Sequence, residues 1–316
     1  MSLIGLVLAP ALGFPLACEI GKTCEVQNYV DRIEGPGVGD YRCGSETYEA
    51  HNGVDIRLPD MAAQRRGVDV LAPAAGRVSR VRDGVADVSV RVRGQAAVAG
   101  QECGNGIVID HGEGWESQAC HLAQGSVKVR IGETVRAGQP MARVGLSGNT
   151  EYPHLHLTIR HLGRVVDPFR PDGGGCEAVG GPGTGSLWTA RAAVMMSYKP
   201  AAVLNAGFSG QTLTLDGVDD PGPVPAGKTA PALLAYVRAI NLKVGDQQRL
   251  VVTGPDGKVL AEARPAIQTR NQAQYLVYAG RKTPAGGWPG GIYHAQYRLV
   301  RDGAGVIERG FEVRIP

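Results

Sequence analysis

The sequence has little of what marks membrane proteins and nucleic-acid-binding proteins. It has no run of about 18–20 apolar residues, the length that a transmembrane helix needs. Aromatic residues make up only 5% of the 316 residues, and the formal net charge is only +3. Lys and Arg do not cluster with interleaved aromatic residues. We therefore predict neither a membrane span nor nucleic-acid binding.

Cysteine is also sparse, and none of the six cysteines forms a C-x-x-C pair, so a structural zinc knot is not expected. An even number of cysteines favours disulfides and an oxidising compartment. The stretch "CGNGIVIDHGEGWESQACHL" is typical of a β-hairpin about a "HGEG" turn at 111–114. Folding there brings Cys103 nearly opposite Cys120, and we predict a disulfide between them. The other four cysteines cannot be paired from the sequence.

The first twenty residues are apolar but make a poor signal peptide. They lack a basic start, and Pro10 and Pro15 interrupt them. We expect that a leader has been removed and that the protein is periplasmic or secreted.

Glycine and proline, in contrast, are abundant, with 46 and 20 residues. They punctuate the chain every 8–12 residues or so, which is typical of many short strands and predicts an all-β fold. Runs such as "HAQYRLV" alternate polar and apolar residues, as half-buried antiparallel strands do, and predict an immunoglobulin-like sandwich in the second half. "LWTARAAVMMSY" (187–198) is a candidate short helix. The expected parts are an N-terminal disulfide-linked segment (1–46), a catalytic domain (47–172), a glycine-rich linker (173–186) and an accessory β-sandwich (187–316).

"SGNTEYPHLHLTIR" contains two histidines on alternate positions, His154 and His156. Its composition favours a β-strand, on which residues i and i+2 share a face. Both imidazoles then point the same way, which suits two metal ligands, or one ligand beside an acid/base. The alternative is a pair of surface or hydrogen-bonded histidines.

"AHNGVDIRLPD" adds His51 and Asp55, four residues apart. On a strand these positions share a face, and Gly53 between them leaves that face open. Two histidines and a carboxylate form the three-ligand pattern of catalytic zinc sites, which keep a fourth position for water. Taken alone, His51 and Asp55 fit a surface ion pair equally well.

A further candidate is His121 of "SQACHLAQG", which closes a predicted strand. The other polar residues near these motifs have structural interpretations: His111 and His161 lie at predicted hairpin turns, His294 lies in the second half, and Asp167 caps a turn.

The order of these motifs resembles that of the lysostaphin-type (LytM) zinc endopeptidases, which cut peptidoglycan. The elements are His51–Asp55, His121–Leu122, "VKVRIGETVRAGQPMARVGLSGNT" and "PHLHL", within residues 50–170. The sequence departs from the family pattern at Glu151 and Tyr152, which stand where small residues are usual. The resemblance therefore does not specify which substrate groups bind next to the site.

The resemblance implies that His51, Asp55 and His156 bind Zn²⁺ and that His121 and His154 form an unligated catalytic pair. It also implies a twisted antiparallel sheet of the duplicated hybrid motif type and hydrolysis of peptidoglycan stem-peptide cross-links by a zinc-activated water. Which histidine is the base, and which bond is cut, stay open.

Another function class also fits the sequence: a non-catalytic, zinc-containing module that binds the cell wall or regulates another protein. The C-terminal half is a candidate surface for a protein partner in either case. A further alternative is self-inhibition, in which the segment before His51 covers the groove.

Overall fold

The structure is a computed structural model that describes residues 9–172 and 185–316. The chain divides into two compact units, residues 1–58 with 63–197, and residues 59–62 with 198–316. Antiparallel strands dominate both, so the predicted all-β fold class is confirmed. Within the described ranges, no helix is both long enough and apolar enough to span a bilayer.

The elements up to residue 197 are mostly short strands, because glycine and proline recur at their ends. In chain order they are β1 (Glu25–Asn28), β2 (Val54–Arg57), α1 (Met61–Arg66), β3 (Asp69–Leu71), β4 (Gly76–Arg82), α2 (Val90–Arg93), a 3₁₀ helix (Gln95–Val98), β5 (Asn105–Gly112), β6 (Trp115–Leu122), β7 (Thr134–Val135), β8 (Pro140–Arg143), β9 (His154–His161), β10 (Arg164–Val166) and α3 (Ala190–Met195).

Eight of the described strands form one antiparallel sheet in the order β1-β2-β9-β6-β5-β4-β7, with β10 paired to β9. In β9 the residues Leu155, Leu157 and Ile159 are buried at 1% exposure or less and form part of the core. The alternate residues point to the opposite face of the sheet, because successive side chains of a strand do so. This face carries the site described below.

The N-terminal segment is part of the first unit. Cys18 and Cys24 form a disulfide just before β1, and β1 pairs with β2 as the edge strand of the main sheet. The described part of the segment therefore extends the sheet sideways. Tyr48 and Ala50, at the end of the region before His51, line the groove described below, and a cover over that groove stays a prediction.

We expected the sandwich to begin at residue 187, but the main part of the second unit begins at Tyr198. Residues 187–197 belong to the first unit because Leu12 forms a β-bridge with Trp188, whose ring lies 5.5 Å from that of Phe169. The short helix that we predicted within 187–198 is present as α3, with Thr189 as its N-cap. Most of the predicted linker, 173–184, lies outside the described residues.

The second unit consists of two antiparallel sheets, β11-β12-β15 and β14-β13-β16-β17, as predicted for an immunoglobulin-like sandwich. In β16, buried Tyr293, Ala295, Tyr297 and Leu299 alternate with exposed residues, and they pack against side chains of both sheets. The elements are β11 (Ala202–Ser209), α4 (Leu215–Asp219), β12 (Ala232–Leu242), β13 (Gln247–Thr253), β14 (Val259–Ala263), β15 (Gln272–Lys282), β16 (Gly291–Arg301) and β17 (Ala304–Ile315).

Candidate metal centre and active site

Three predicted ligands converge at one end of the main sheet. Asp55 in β2 and His156 in β9 are direct cross-strand partners, and His156 Nδ1 lies 2.9 Å from Asp55 Oδ1. His51 Nε2 lies 3.2 Å from both Asp55 Oδ1 and His156 Nδ1. The three ligand atoms all fall within 4.8 Å of one another. This group is able to hold a metal ion.

His51 reaches this position by a different route from the one we predicted. It does not share a strand with Asp55, since β2 begins at Val54 and His51 lies in the preceding loop. Ala50 has a φ of +60°, in the left-handed region, and turns the chain there. The predicted role of Gly53 is confirmed: a Cβ on it would lie 2.6 Å from the His156 ring.

The donor set fits a divalent metal, because two imidazole nitrogens and a carboxylate oxygen are typical zinc ligands. Other contacts hold the ligands in place, as is usual around metal sites. His51 Nδ1 donates to the Tyr29 carbonyl at 2.6 Å, which leaves Nε2 facing Asp55. Asn28 Nδ2 donates to Asp55 Oδ2 at 3.0 Å, on the oxygen that His156 does not use.

The charges of this group also suit a cation. Burial raises the pKa of Asp55, but the facing imidazoles of His51 and His154, with hydrogen bonds from the histidines, hold that pKa well below its ordinary value. Burial lowers the pKa of His51, yet the Asp55 carboxylate and hydrogen bonds raise it above the usual range overall. Asp55 is therefore an ionised carboxylate at neutral pH.

The two predicted catalytic histidines lie beside the ligands. The His121 and His154 rings are 4.6 Å apart, and His154 Nε2 lies 3.6 Å from Asp55 Oδ1. His121 Nδ1 donates to the Ser147 carbonyl at 2.8 Å, and His154 Nδ1 donates to the Tyr152 carbonyl at 3.0 Å. A carbonyl only accepts, so both neutral rings carry their proton on Nδ1 and present Nε2 as an acceptor.

Both rings have a lowered pKa and therefore resist protonation. Burial, with the nearby imidazoles of His154 and His156, lowers the pKa of His121 well below its ordinary value. Burial also lowers the pKa of His154, although Asp55 opposes the shift. The pair is therefore neutral at pH 7 and able to take up a proton. His121 has a φ of +60°, an uncommon backbone for a histidine and one that recurs at functional sites.

A groove of about 450 Å³ opens over His51, His121 and His156 and gives a ligand access to them. Its floor follows the sheet from His156 along β9 and from His121 along β6. Its other lining residues include Tyr48, Asn52, Gln118, Asn149 and Arg160.

The disulfide predicted from the hairpin is present, joining Cys103 to Cys120 immediately before His121. The backbone N–H of His121 also donates to the Cys103 carbonyl at 2.8 Å. The 103–104 turn therefore helps to fix the backbone of His121. Cys176 lies outside the described residues.

The residues that we interpreted as structural lie away from the ligand group. His111 bonds the Ala75 carbonyl and the Ser117 hydroxyl, each at 2.8 Å. His161 stacks on Trp115 with ring centroids 4.2 Å apart. Asp167 accepts the Phe169 N–H at 2.9 Å, and burial raises its pKa to about 6. His294 in β16 faces Glu312 in the second unit.

Sequence reasoning missed the side chains that support the site. Arg57, opposite His154 in β2, lies 3.7 Å from the centre of the Tyr152 ring, which in turn lies 5.2 Å from the His154 ring. Asn28 in β1 holds Asp55 from outside the recognised motifs. The available sequence signal was a polar or charged residue within a strand. In the structure all four residues of β1 are buried.

Comparison with known proteins places this site in a family. Residues 49–168 match the model of peptidase family M23. Murein hydrolase activator EnvC of Escherichia coli is 40% identical over 62 residues, which are 20% of this chain and 14% of EnvC. Peptidoglycan DD-endopeptidase ShyB of Vibrio cholerae is 33% identical over 69 residues, which are 22% of this chain and 16% of ShyB.

Among solved structures, the catalytic domain of lysostaphin from Staphylococcus simulans is similar with 20% identity and a TM-score of 0.29, covering 45% of this chain and 85% of that one. The chain matches less than a fifth of the length of the two curated relatives. From residue 49 to residue 168, this chain is a peptidase M23 domain.

Proposed function

We propose that the protein is a zinc-dependent endopeptidase that hydrolyses peptide cross-links of bacterial peptidoglycan. One observation carries the proposal: His121 and His154, both neutral and with Nε2 available, lie beside a complete ligand group. A site that only bound a metal would need the three ligands and not this second pair. The relative named as a peptidoglycan endopeptidase adds support.

In this proposal His51, Asp55 and His156 hold the zinc. Zinc held there supplies Lewis acidity, which lowers the pKa of water towards 7 and polarises a carbonyl. The imidazole pair moves the protons. One Nε2 accepts a proton from the attacking water, and the imidazolium that forms donates it from Nε2 to the leaving amine. The carbonyls of Ser147 and Tyr152 hold the two rings in the tautomer that this requires.

The second candidate function is a non-catalytic regulator that binds the cell wall or another protein. The relative named as a murein hydrolase activator supports it. In that case the sandwich is a candidate partner-binding unit. The intact His121 and His154 favour the enzyme, because a regulator has no use for a buried neutral imidazole pair.

Location follows from the same proposal. Two disulfides, Cys18–Cys24 and Cys103–Cys120, support an oxidising compartment, and a peptidoglycan substrate requires the cell envelope. We therefore propose a periplasmic or secreted protein.

The test is a digest of purified peptidoglycan by the zinc-loaded protein, with soluble fragments read by mass spectrometry. We expect cross-linked dimers to fall to monomers, and the fragment masses then identify the bond. His121→Ala should lower the rate by about 10²–10⁴-fold, the usual contribution of a general acid or base.

Zinc analysis of both proteins is the control, since His121→Ala should keep one zinc per chain. Zinc binding by both proteins without release of fragments by either would contradict the enzyme and favour the regulator.

A further inference from the structure

The groove over the ligands continues into a second one along the same face of the sheet. The second groove has a volume of about 690 Å³ and shares Cys103, Gln118 and Arg160 with the first. Strand register explains the continuity: Arg160 in β9 faces Glu116 in β6, and Thr158 faces Gln118. Both grooves therefore lie over alternate residues of neighbouring strands.

The second groove is basic. Arg80, Arg82 and Arg160 line it, and Glu116 is its one acidic lining residue, so these side chains carry a net charge of +2. Arg80 Nη2 lies 3.1 Å from Glu116 Oε2, which offsets one arginine. Glu102 borders the first groove but not the second. Glu116 also faces Arg160 across the strands, and Glu102 acts electrostatically on Arg82. The second groove keeps an excess of positive charge because three arginines line it against one carboxylate.

Arg160 is the arginine that also lines the groove over the metal ligands. Gln118 Oε1 accepts a hydrogen bond from Arg160 Nη1 at 2.7 Å, and Gln118 Nε2 faces the two sulfur atoms of the Cys103–Cys120 disulfide. Gln118 thus orients the guanidinium while using one of its five N–H donors. A planar guanidinium held in this way suits a carboxylate, which it binds through paired hydrogen bonds.

We propose that Arg160, flanked by Arg82, is a specificity-determining residue that binds a carboxylate of the peptide substrate away from the scissile bond. This inference rests on the proposed function, because it assigns the groove over His156 to a peptide. His156 and Arg160 lie four residues apart on one strand, which is roughly 13 Å at the rise of a β-strand. The Arg160 guanidinium hydrogen-bonds Gln118, which pairs with Thr158 nearer the ligands, so an extended peptide on this face reaches Arg160 within about four residues of the bond that is cut. The substrate class is an acidic peptide.

The test uses two synthetic cross-linked peptides that differ in one side chain, a carboxylate or a carboxamide, about four residues from the scissile amide. Hydrolysis gives kcat and KM for each peptide, and fluorescence anisotropy with labelled peptides gives Kd. We expect the wild-type protein to favour the carboxylate peptide by about tenfold or more in KM and Kd, the effect of a hydrogen bond to a charged group.

Arg160→Gln should remove this preference by weakening only the carboxylate peptide. Unchanged zinc content and an unchanged circular dichroism spectrum would show that the variant is folded. Arg164→Gln is the matched control: Arg164 is exposed on the neighbouring strand β10 and lines neither groove, so the preference should stay.

The outcomes separate the two proposals. Cleavage of both peptides with equal KM, or a preference that survives Arg160→Gln, overturns the carboxylate site and leaves the endopeptidase intact. A binding preference that Arg160→Gln removes, without any cleavage, supports the carboxylate site and contradicts the endopeptidase. Equal binding of both peptides without cleavage overturns both.

Discussion

The two units are both built from antiparallel strands, but β16 of the sandwich and β6 of the first unit bury their residues in different patterns. In the sandwich, β16 buries alternate apolar side chains and exposes the residues between them. β12 pairs with β15 in continuous register from Ala232 to Ile240. In the first unit, β6 ends with four consecutive buried residues that include His121, and the register of β5 and β6 shifts beside it. The alternating strand β16 thus contributes to the sandwich core, while His121 lies where the alternation of β6 fails.

Several irregular positions lie at the site. His121 has a left-handed backbone, as does Ala50 beside His51. A register shift between Val26 and Asn28 in β1 sets Asn28 opposite Asp55. Such features cost conformational energy and persist only where surrounding contacts hold them. We therefore expect substitutions at the site in the first unit to lower the zinc content, and substitutions in the core of the second unit to lower the free energy of unfolding.

The largest effect should come from removing the carboxylate at the centre of the ligand group. Asp55→Ala leaves two histidines without their anionic partner, so zinc per chain should fall from one to near zero. Peptidoglycan hydrolysis should fall by on the order of 10⁴-fold or more, at or beyond the upper end of the loss of one proton-transfer group alone. Zinc analysis and the fragment assay measure both quantities.

The matched control for this change is Asp256→Ala, an aspartate in a turn between β13 and β14 of the second unit. Full zinc content in Asp55→Ala would contradict the assigned ligand.

A deletion in the sandwich core should lower stability without affecting zinc. Leu250 in the central strand β13 is fully buried within the core cluster. Leu250→Ala should lower the free energy of unfolding of this unit by about 2–5 kcal/mol through lost burial and a residual cavity. Urea denaturation followed by circular dichroism measures the loss, and zinc content should stay at one per chain.

Val259→Ala is the control for this core deletion. Val259 lies in the neighbouring strand β14 with 59% of its side chain exposed, and its change should stay within about 0.5 kcal/mol. A loss of zinc in Leu250→Ala would break the separation between the two units.

A smaller effect is expected from a residue that holds a ligand without binding the metal. Asn28→Ala removes the hydrogen bond to Asp55 Oδ2 and should weaken zinc binding by about 10–100-fold, the usual cost of losing such a support. Competition with a chelator measures the affinity. Asn149→Ala removes an exposed amide of the same groove and should leave it unchanged. Equal affinities in all three proteins would show that Asn28 does not support the site.

The smallest effect concerns pH. Burial lowers the pKa of His121, so the imidazole stays neutral and able to accept a proton at pH values where an exposed histidine is charged. His121 loses this ability only when the pH falls through that lowered pKa. The acidic limb of the kcat/KM profile should therefore have its midpoint below about 6.5, the ordinary histidine value. A midpoint at or above 6.5 would argue against a neutral His121.

The sequence predicted features that depend on residues close together along the chain. The period-2 alternation of "HAQYRLV" predicted a sandwich strand, and the spacing of His154 and His156 predicted their shared face. The hairpin predicted the Cys103–Cys120 pair. Each depends on strand geometry over a few residues, which local sequence determines.

Features that depend on distant segments escaped prediction. Asn28 meets Asp55 only because β1 pairs with β2, and Trp188 joins the first unit only because Leu12 bridges to it. The strand assigned to His51 was wrong because a left-handed Ala50 is not signalled by its side chain. Pairing between remote strands depends on the assembled core, which no short stretch specifies.

The edge strand β1 sets a limit for anyone who wishes to move this domain into another protein. The family match begins at residue 49, yet the carbonyl of Tyr29 and the amide of Asn28 brace two of the three ligands from upstream of that point. A fragment excised at the family boundary would carry the ligands without these braces and would expose the backbone of β2 as a new sheet edge. The smallest portable module therefore starts no later than Glu25.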